Sequence, residues 1–478
     1  MSKHRPMFCV ALALVVAGLA ASLVPAAEPP PAGPPGAKSD GGLRRYIYSL
    51  HPDGSQDDGG AKGTPKKDGI IVLDIDNGCS YVRRIALPCL AEKHGGHGGR
   101  GIVGHTRTKR LYYTFMLYKS KTDAADNGPG GVRWQDGRGS NVPVVGCLDV
   151  ENDKVLWEVY LRDLPETKGH DVGAGQAAIT PDGKKLYVPP EWTGGTETTV
   201  LDAASGRVLA IIPTGKTGCG NAVMSPDGKH VYVSGGTVKT DTATDQIVRL
   251  PSGAKGLCKS DHFMIDATGK RLFQTYNVPE LDAEAIVYCT ATGEILERIV
   301  CPKTGPLAAL REAKSLRHKG HEGSFAPGGK RFWLQTMDSK APPADLLSQF
   351  PLVDSAGRGS IKWVTEWDVS QTPALLVKAI ATFSPGHSHA HALITREGDL
   401  LLTGNGYALD TKTGKVNHAW KDKDGKWFQG TKFMQVNFRD GQVDWVGQRH
   451  GAGWLYHVPA LSERGAGAAP VAGTAAGE

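Results

Sequence analysis

The chain has 478 residues, 40% of them hydrophobic, with 55 Lys and Arg against 49 Asp and Glu and a formal net charge of +6. The positive residues are scattered, with no run of five and no basic strip interleaved with aromatics, so nucleic acid is excluded as the expected partner. About 450 residues suffice for several domains, but the repeats described below run end to end and argue for one.

Lys3 and Arg5 precede an apolar run from Met7 to Val24 that ends in the small residues Pro25-Ala26-Ala27. A charged, then apolar, then small-residue order reads as a secretory signal peptide over 1–27. The run is short for a membrane span, which takes about 20 apolar residues. Cys9 stands at its start, where a lipoprotein cleavage site would not place it. The expectation is a periplasmic or extracellular protein with no membrane span after cleavage. Residues 28–42, EPPPAGPPGAKSDGG, have nothing to bury and read as a linker. The tail 462–478 reads as disordered in the same way, which leaves 43–461 for the folded part.

One phrase recurs along that part: a turn with glycine, then alternating apolar residues. It appears as TPDGKKLYVPPEW from Thr180, SPDGKHVYVSGG from Ser225, DATGKRLFQTYN from Asp266, APGGKRFWLQTM from Ala326, TREGDLLLTGNG from Thr395 and FRDGQVDWVGQR from Phe438. A degenerate copy without the glycine, TRTKRLYYTFML, starts at Thr106. Glycine supplies the positive φ of a tight turn, and the alternation buries every second side chain, so each copy is a hairpin. A second strand-turn-strand phrase follows after a variable gap, as in LDVENDKVLWEV at Leu148 and LDTKTGKVNHAW at Leu409. Two hairpins make four antiparallel strands, one blade of a β-propeller. The turn glycines 183, 228, 269, 329, 398 and 441 are 45, 41, 60, 69 and 43 residues apart, which fits blades with insertions in two of them.

These phrases, SPDGKHVYVSGG above all, resemble the YVTN-type repeat propellers over roughly residues 43–461. A weaker similarity links LDTKTGKVNHAW to the quinoprotein amine dehydrogenase-like propellers. The resemblance implies an all-β propeller. Seven blades are expected and eight stay open, because incomplete strand sets at both ends must pair to close the ring. The insertions read as surface loops, and LAALREAKSLRHK, starting at Leu307, has the spacing of a short lid helix.

Cys79, Cys89, Cys147, Cys219, Cys258, Cys289 and Cys301 remain beside Cys9. In an oxidising compartment some are expected to pair, with Cys79–Cys89 and Cys289–Cys301 at suitable cross-strand positions and one left over. No Cys-x-x-Cys-His occurs, so no c-type haem is expected. Nucleophile elbows, phosphate loops and His-Glu-x-x-His helices are also missing.

Histidines recur where the inner strand of each blade begins. The column seven residues before the turn glycine reads Gly101, Gln176, Asn221, His262, Glu322, His391 and Met434. Repetition about the axis brings such side chains to one mouth of the channel. His387, His389 and His391 stand two apart, as on one face of a strand. Imidazoles with a carboxylate suit Fe, Cu, Mn or Zn. The candidate metal ligands are therefore His262, His389, His391, His387, His321 and His97. Glu322, Gln176 and Asn221 are the candidate catalytic residues, orienting substrate or metal-bound water, with Glu322 also a candidate acid or base. His170 and His321 fit a structural role as well, since propellers use such histidines within blades.

Two functions follow. One is a metal-dependent oxidoreductase, lyase or lactonase acting on a small molecule at a His-lined mouth. The other is a non-catalytic propeller binding a protein, peptide or glycan. A quinone-dependent dehydrogenase is a third, weaker reading, and the oligomeric state stays open.

Overall fold

The computed structural model describes residues 42–51, 69–90, 96–118, 141–190, 195–215, 220–233, 238–248, 262–275, 283–300, 304, 308–309, 320–336, 345, 352–353, 360–384, 391–425, 427, 430 and 432–447. Its strands form seven sheets, each built on four antiparallel strands, in a β-propeller. The ring has seven blades, and the eight-blade alternative is set aside.

Numbered along the chain, the first blade holds the strands Gly96–His105, Arg110–Tyr118, Asn141–Asp149 and Lys154–Tyr160, in that order from the axis outward. The inner strands of the second to sixth blades are Ala178–Ile179, Val223–Met224, Phe263–Ile265, Gly320–Phe325 and Ala392–Ile394. The seventh blade closes the ring. Leu43–His51, Gly69–Asp74 and Ser80–Ala86 supply three strands, and Lys432–Arg439 from the other end of the chain pairs antiparallel with Leu43–His51, Leu50 opposite Lys432 and Leu43 opposite Arg439.

The hydrophobic core is not one mass but seven layers, one between each pair of neighbouring blades. Each strand feeds two layers, because successive side chains point to opposite faces. In His230–Val233, Val231 and Val233 pack toward the second blade and Tyr232 toward the fourth. Strands buried on both faces read as nearly continuous apolar runs, as LYV and HVYV do. Between the fourth and fifth blades Phe273, Phe325 and Phe332 meet at centroid separations of 5.0–5.3 Å.

The repeated turn is satisfied from within. Ser225 Oγ donates to Asp227 at 2.6 Å and accepts the His230 amide at 2.9 Å, and Asp227 accepts the Lys229 amide at 3.1 Å. Thr180 and Asp182 repeat the pattern. The turn glycine is required twice over. At Gly228 φ is +71°, and a Cβ there would lie 2.1 Å from Pro181 of the preceding blade's turn. Gly269 faces Pro226 and Gly398 faces Pro327 in the same way, so successive turns stack around the ring.

Three expectations are corrected. Gln442–Val446 is not the second strand of a blade: it pairs with the free edge of Lys432–Arg439 as a fifth strand nearest the axis. There its Asp444 meets Arg396 of the sixth blade at 3.0 Å, and the Val446 amide donates to Thr106 of the first at 3.1 Å. Second, no disulfide joins Cys79 to Cys89, because they are buried in different layers. Cys301 and the bulk of the proposed lid helix lie outside the described residues. Third, Met434 packs in the layer between the seventh and first blades rather than in the polar column. No helix among the described residues is long and apolar enough to cross a membrane. The 1–27, 28–41 and 462–478 segments lie outside the described residues.

Candidate functional site

Gln176, Asn221, His262 and His391 stand one or two residues ahead of the inner strands of the second, third, fourth and sixth blades, and Glu322 lies within that of the fifth. Their backbones are held by close approach near the axis. Gln176 and Asn221 form a parallel bridge, with the Gln176 amide donating to Gly220 at 2.5 Å and the Ala222 amide to Gln176 at 2.8 Å. Gly101 of the first blade lies against Gln176, whose Cα is 2.6 Å from where a Cβ would stand. The glycine thus keeps its place in the column because the second blade fills the space of a side chain.

Glu322 is the centre. Its Oε1 accepts from Lys432 Nζ at 3.0 Å and faces His262 Nδ1 at 3.1 Å, while its Oε2 meets His391 Nδ1. Asn221 Nδ2–H donates to His262 Nδ1 at 2.9 Å. The two imidazoles are 6.4 Å apart between centroids and nearly perpendicular, at 82°. Glu322 and His391 are fully buried, and His262, Asn221, Gln176 and Lys432 nearly so. Four blades therefore meet at one carboxylate, and two more stand beside it.

The chemistry follows from donors and acceptors. A carboxylate facing an ammonium is ionised, and an imidazole nitrogen presented to it carries its proton, since a bare lone pair there would be repelled. His262 presents Nδ1 both to Glu322 and to the donating Nδ2 of Asn221, whereas the Nδ1–H of His391 faces Glu322 and its unprotonated Nε2 lies on the far side of the ring. That is the tautomer in which histidine binds a metal or takes up a proton. Lys432 offsets the charge of Glu322. Among the described residues, no group of three or more His, Cys, Asp or Glu side chains is arranged to hold a metal ion.

The structure thus brings Glu322, His262, His391 and Asn221 together, with Gln176 joined through the backbone of Asn221. His387 and His389 lie outside the described residues, and His391 precedes its strand instead of forming part of it. His97 and His321 fall within inner strands, their side chains outside what is described. His170 is exposed and meets Glu197 at 3.0 Å, away from the axis. His105 bridges two blades, from Thr108 at 2.9 Å to the Pro181 carbonyl at 3.0 Å. Lys432 went unread because counting back from Gly441 lands on Met434. The closing strand is two residues out of step, and a lysine at the head of KFMQVNF was the only sign.

No family model matches the chain, and no curated protein matches it. Among solved structures the chain is similar to hydrazine synthase of Kuenenia stuttgartiensis, with 16% identity over 73% of this chain and 95% of that one and a TM-score of 0.44. It is similar to the periplasmic gluconolactonase PpgL of Pseudomonas aeruginosa, with 14% identity over 85% and 98% of the two chains and a TM-score of 0.45. The β-propeller domain of Cps50 (Swd1) from Myceliophteria thermophila gives 9% identity over 72% and 94% and a TM-score of 0.37.

Proposed function

We propose that the protein is an exported enzyme of the YVTN-type propeller kind, acting on a small molecule at the Glu322 end of the channel. His262 and His391 act there as ligands of a transition metal ion. The observation that carries this reading is the single buried carboxylate that faces Nδ1 of two imidazoles. Metal-bound histidines are oriented in this way, by a carboxylate on the nitrogen opposite the metal. Imidazole donors suit Fe, Cu, Mn or Zn. Two ligands come from the described residues, and His389, His387, His97 and His321 are the candidates for the remainder.

When bound, the metal supplies Lewis-acid or redox chemistry to an oxidoreductase, lyase or lactonase step. The protein's part is positional. Glu322 and Asn221 orient the two rings, Lys432 holds Glu322 in place and offsets its charge, and Asn221 and Gln176 line the side where a polar substrate is oriented. Glu322 is a positioning residue on this reading. The run Met7–Val24 with the small residues after it supports export to the periplasm or beyond.

The test is metal content, measured on untagged protein from cells supplied with Fe, Cu, Mn and Zn. Near-stoichiometric metal is expected in the parent, little in His262→Ala or His391→Ala, and affinity weaker by roughly 10–100-fold in Glu322→Gln. A parent that folds and holds no metal under any supply overturns the reading. The burial of the whole group favours a second one, in which the network only locks blades four to seven and the propeller binds a protein, peptide or glycan. Metal-free parent protein with a lowered melting temperature in Glu322→Gln would establish that instead.

A further inference from the structure

Two buried amides at the Glu322 end keep hydrogen-bonding capacity that no neighbour uses. Gln176 is 2% exposed, and its Oε1 has no partner. Its Nε2 makes no hydrogen bond among the described residues. Asn221 gives one N–H to His262 Nδ1, and its Oδ1 accepts nothing from the described residues. The groups around them are engaged: Thr114 Oγ1 donates to the Gly175 carbonyl at 2.8 Å, and Glu322 faces Lys432 and the two imidazoles. A buried acceptor left unpaired costs its full desolvation, so an apolar side chain of the same length at position 176 would serve the fold better than an amide.

The two amides are neighbours. Gln176 and Asn221 stand opposite one another in a parallel bridge, which sets their side chains about 5 Å apart on one side. On the other flank of Gln176 the first blade brings no side chain, because Gly101 holds its place in the column. Asn221 in turn joins the pair to His262 and, through it, to Glu322. A molecule seated against His262 meets Asn221 first and Gln176 next.

We propose that Gln176 and Asn221 recognise the substrate, and that the substrate is a neutral vicinal diol with one hydroxyl on each amide. This rests on the reading of the Glu322 end as the substrate site. Each amide offers an acceptor and a donor, and a hydroxyl both donates and accepts at a single atom. Hydroxyls on adjacent carbons bring one such atom to each residue. A primary amide presents its donor and acceptor together and pairs with one residue only. A carboxylate only accepts, so it would stand against two carbonyl oxygens, and neither residue carries a charge to hold it.

The experiment is equilibrium dialysis of the full chain, metal-free and metal-loaded, against labelled xylitol, with unlabelled diethylene glycol, succinamide and succinate as competitors. The parent is compared with Gln176→Met and with Thr240→Val, which removes another buried hydroxyl without a partner, on the third strand of the third blade. Expected are saturable xylitol uptake by the parent and Thr240→Val, affinity weaker by about tenfold in Gln176→Met, and little competition from the three other compounds. Thermal melts without ligand separate recognition from structure. Both variants lose an unpaired buried group, so each should melt at or above the parent temperature. No saturable uptake by the parent overturns the proposal, as does equal competition by diethylene glycol, succinamide or succinate. A Gln176→Met protein that melts well below the parent, or fails to fold, also overturns it, since the amide then serves the fold. Metal content is read separately. A metal-free parent that takes up xylitol keeps this proposal and loses the metal ion, whereas a metal-loaded parent that takes up none loses this proposal alone.

Discussion

The two ends of the inner strands obey different rules. At the turn end each blade repeats nearly the same residues, Thr or Ser, Asp, Gly and Lys, because every blade must reverse the chain, satisfy its amides and stack on its neighbour. At the other end no two adjacent blades carry the same side chain, and Gln176, Asn221, His262, Glu322, His391 and Lys432 converge from six blades. Repetition marks packing, and divergence at a repeated position marks the place where one asymmetric site is assembled from symmetric parts.

The largest expected effect breaks the asymmetric end. Glu322→Gln leaves the Lys432 ammonium buried without its carboxylate and is expected to destabilise by about 3–5 kcal/mol. Adding Lys432→Met should recover much of that, and urea unfolding of the two single variants and the double variant gives the coupling. Additive effects would show that the pair is not a unit.

Next is the symmetric end. Gly228→Ala meets both a left-handed backbone and Pro181, and should cost about 2–4 kcal/mol. Gly441 occupies the equivalent turn with φ +81° and nothing within 4 Å, so Gly441→Ala should cost only about 1–2 kcal/mol. Equal midpoints for the two would refute turn stacking. Ser225→Ala removes one hydroxyl that links Asp227 to the His230 amide, for about 1 kcal/mol.

The smallest effect is read in pH. Burial lowers the proton affinity of His105, His230 and His418, so the unfolded chain binds more protons near their ordinary titration range. Their contribution is present above pH about 6.5 and lost as pH falls. The turn carboxylates follow at lower pH. The Ser205 hydroxyl lowers the Asp202 titration, and the Thr244 amide that of Asp241, so the stability they lend is present above about pH 4 and lost below it. Urea midpoints from pH 7 to 3 should fall in two stages. A midpoint that rises on acidification contradicts both assignments.

Much of the fold was legible because its signals are local. A glycine with positive φ, an Asp that caps its own turn and a period of two are properties of adjacent residues, and their recurrence marks the repeating unit. The polar column could be read in five blades because inner strand and turn keep a fixed separation there. Lys432 was not legible, because the closing strand joins the N-terminal blade and continues into Gln442–Val446 near the axis, which shifts its count. Nor could the chain order show that Cys79 and Cys89, ten residues apart, lie in different layers.

The sequence by itself determined the repeating unit, its turns and the apolar alternation, since hairpins are set by backbone geometry and side-chain period over a few residues. Only the tertiary structure decided the number of blades and the partners of Glu322. Those depend on how the ring closes, and closure joins residues nearly four hundred positions apart, where local spacing carries no information.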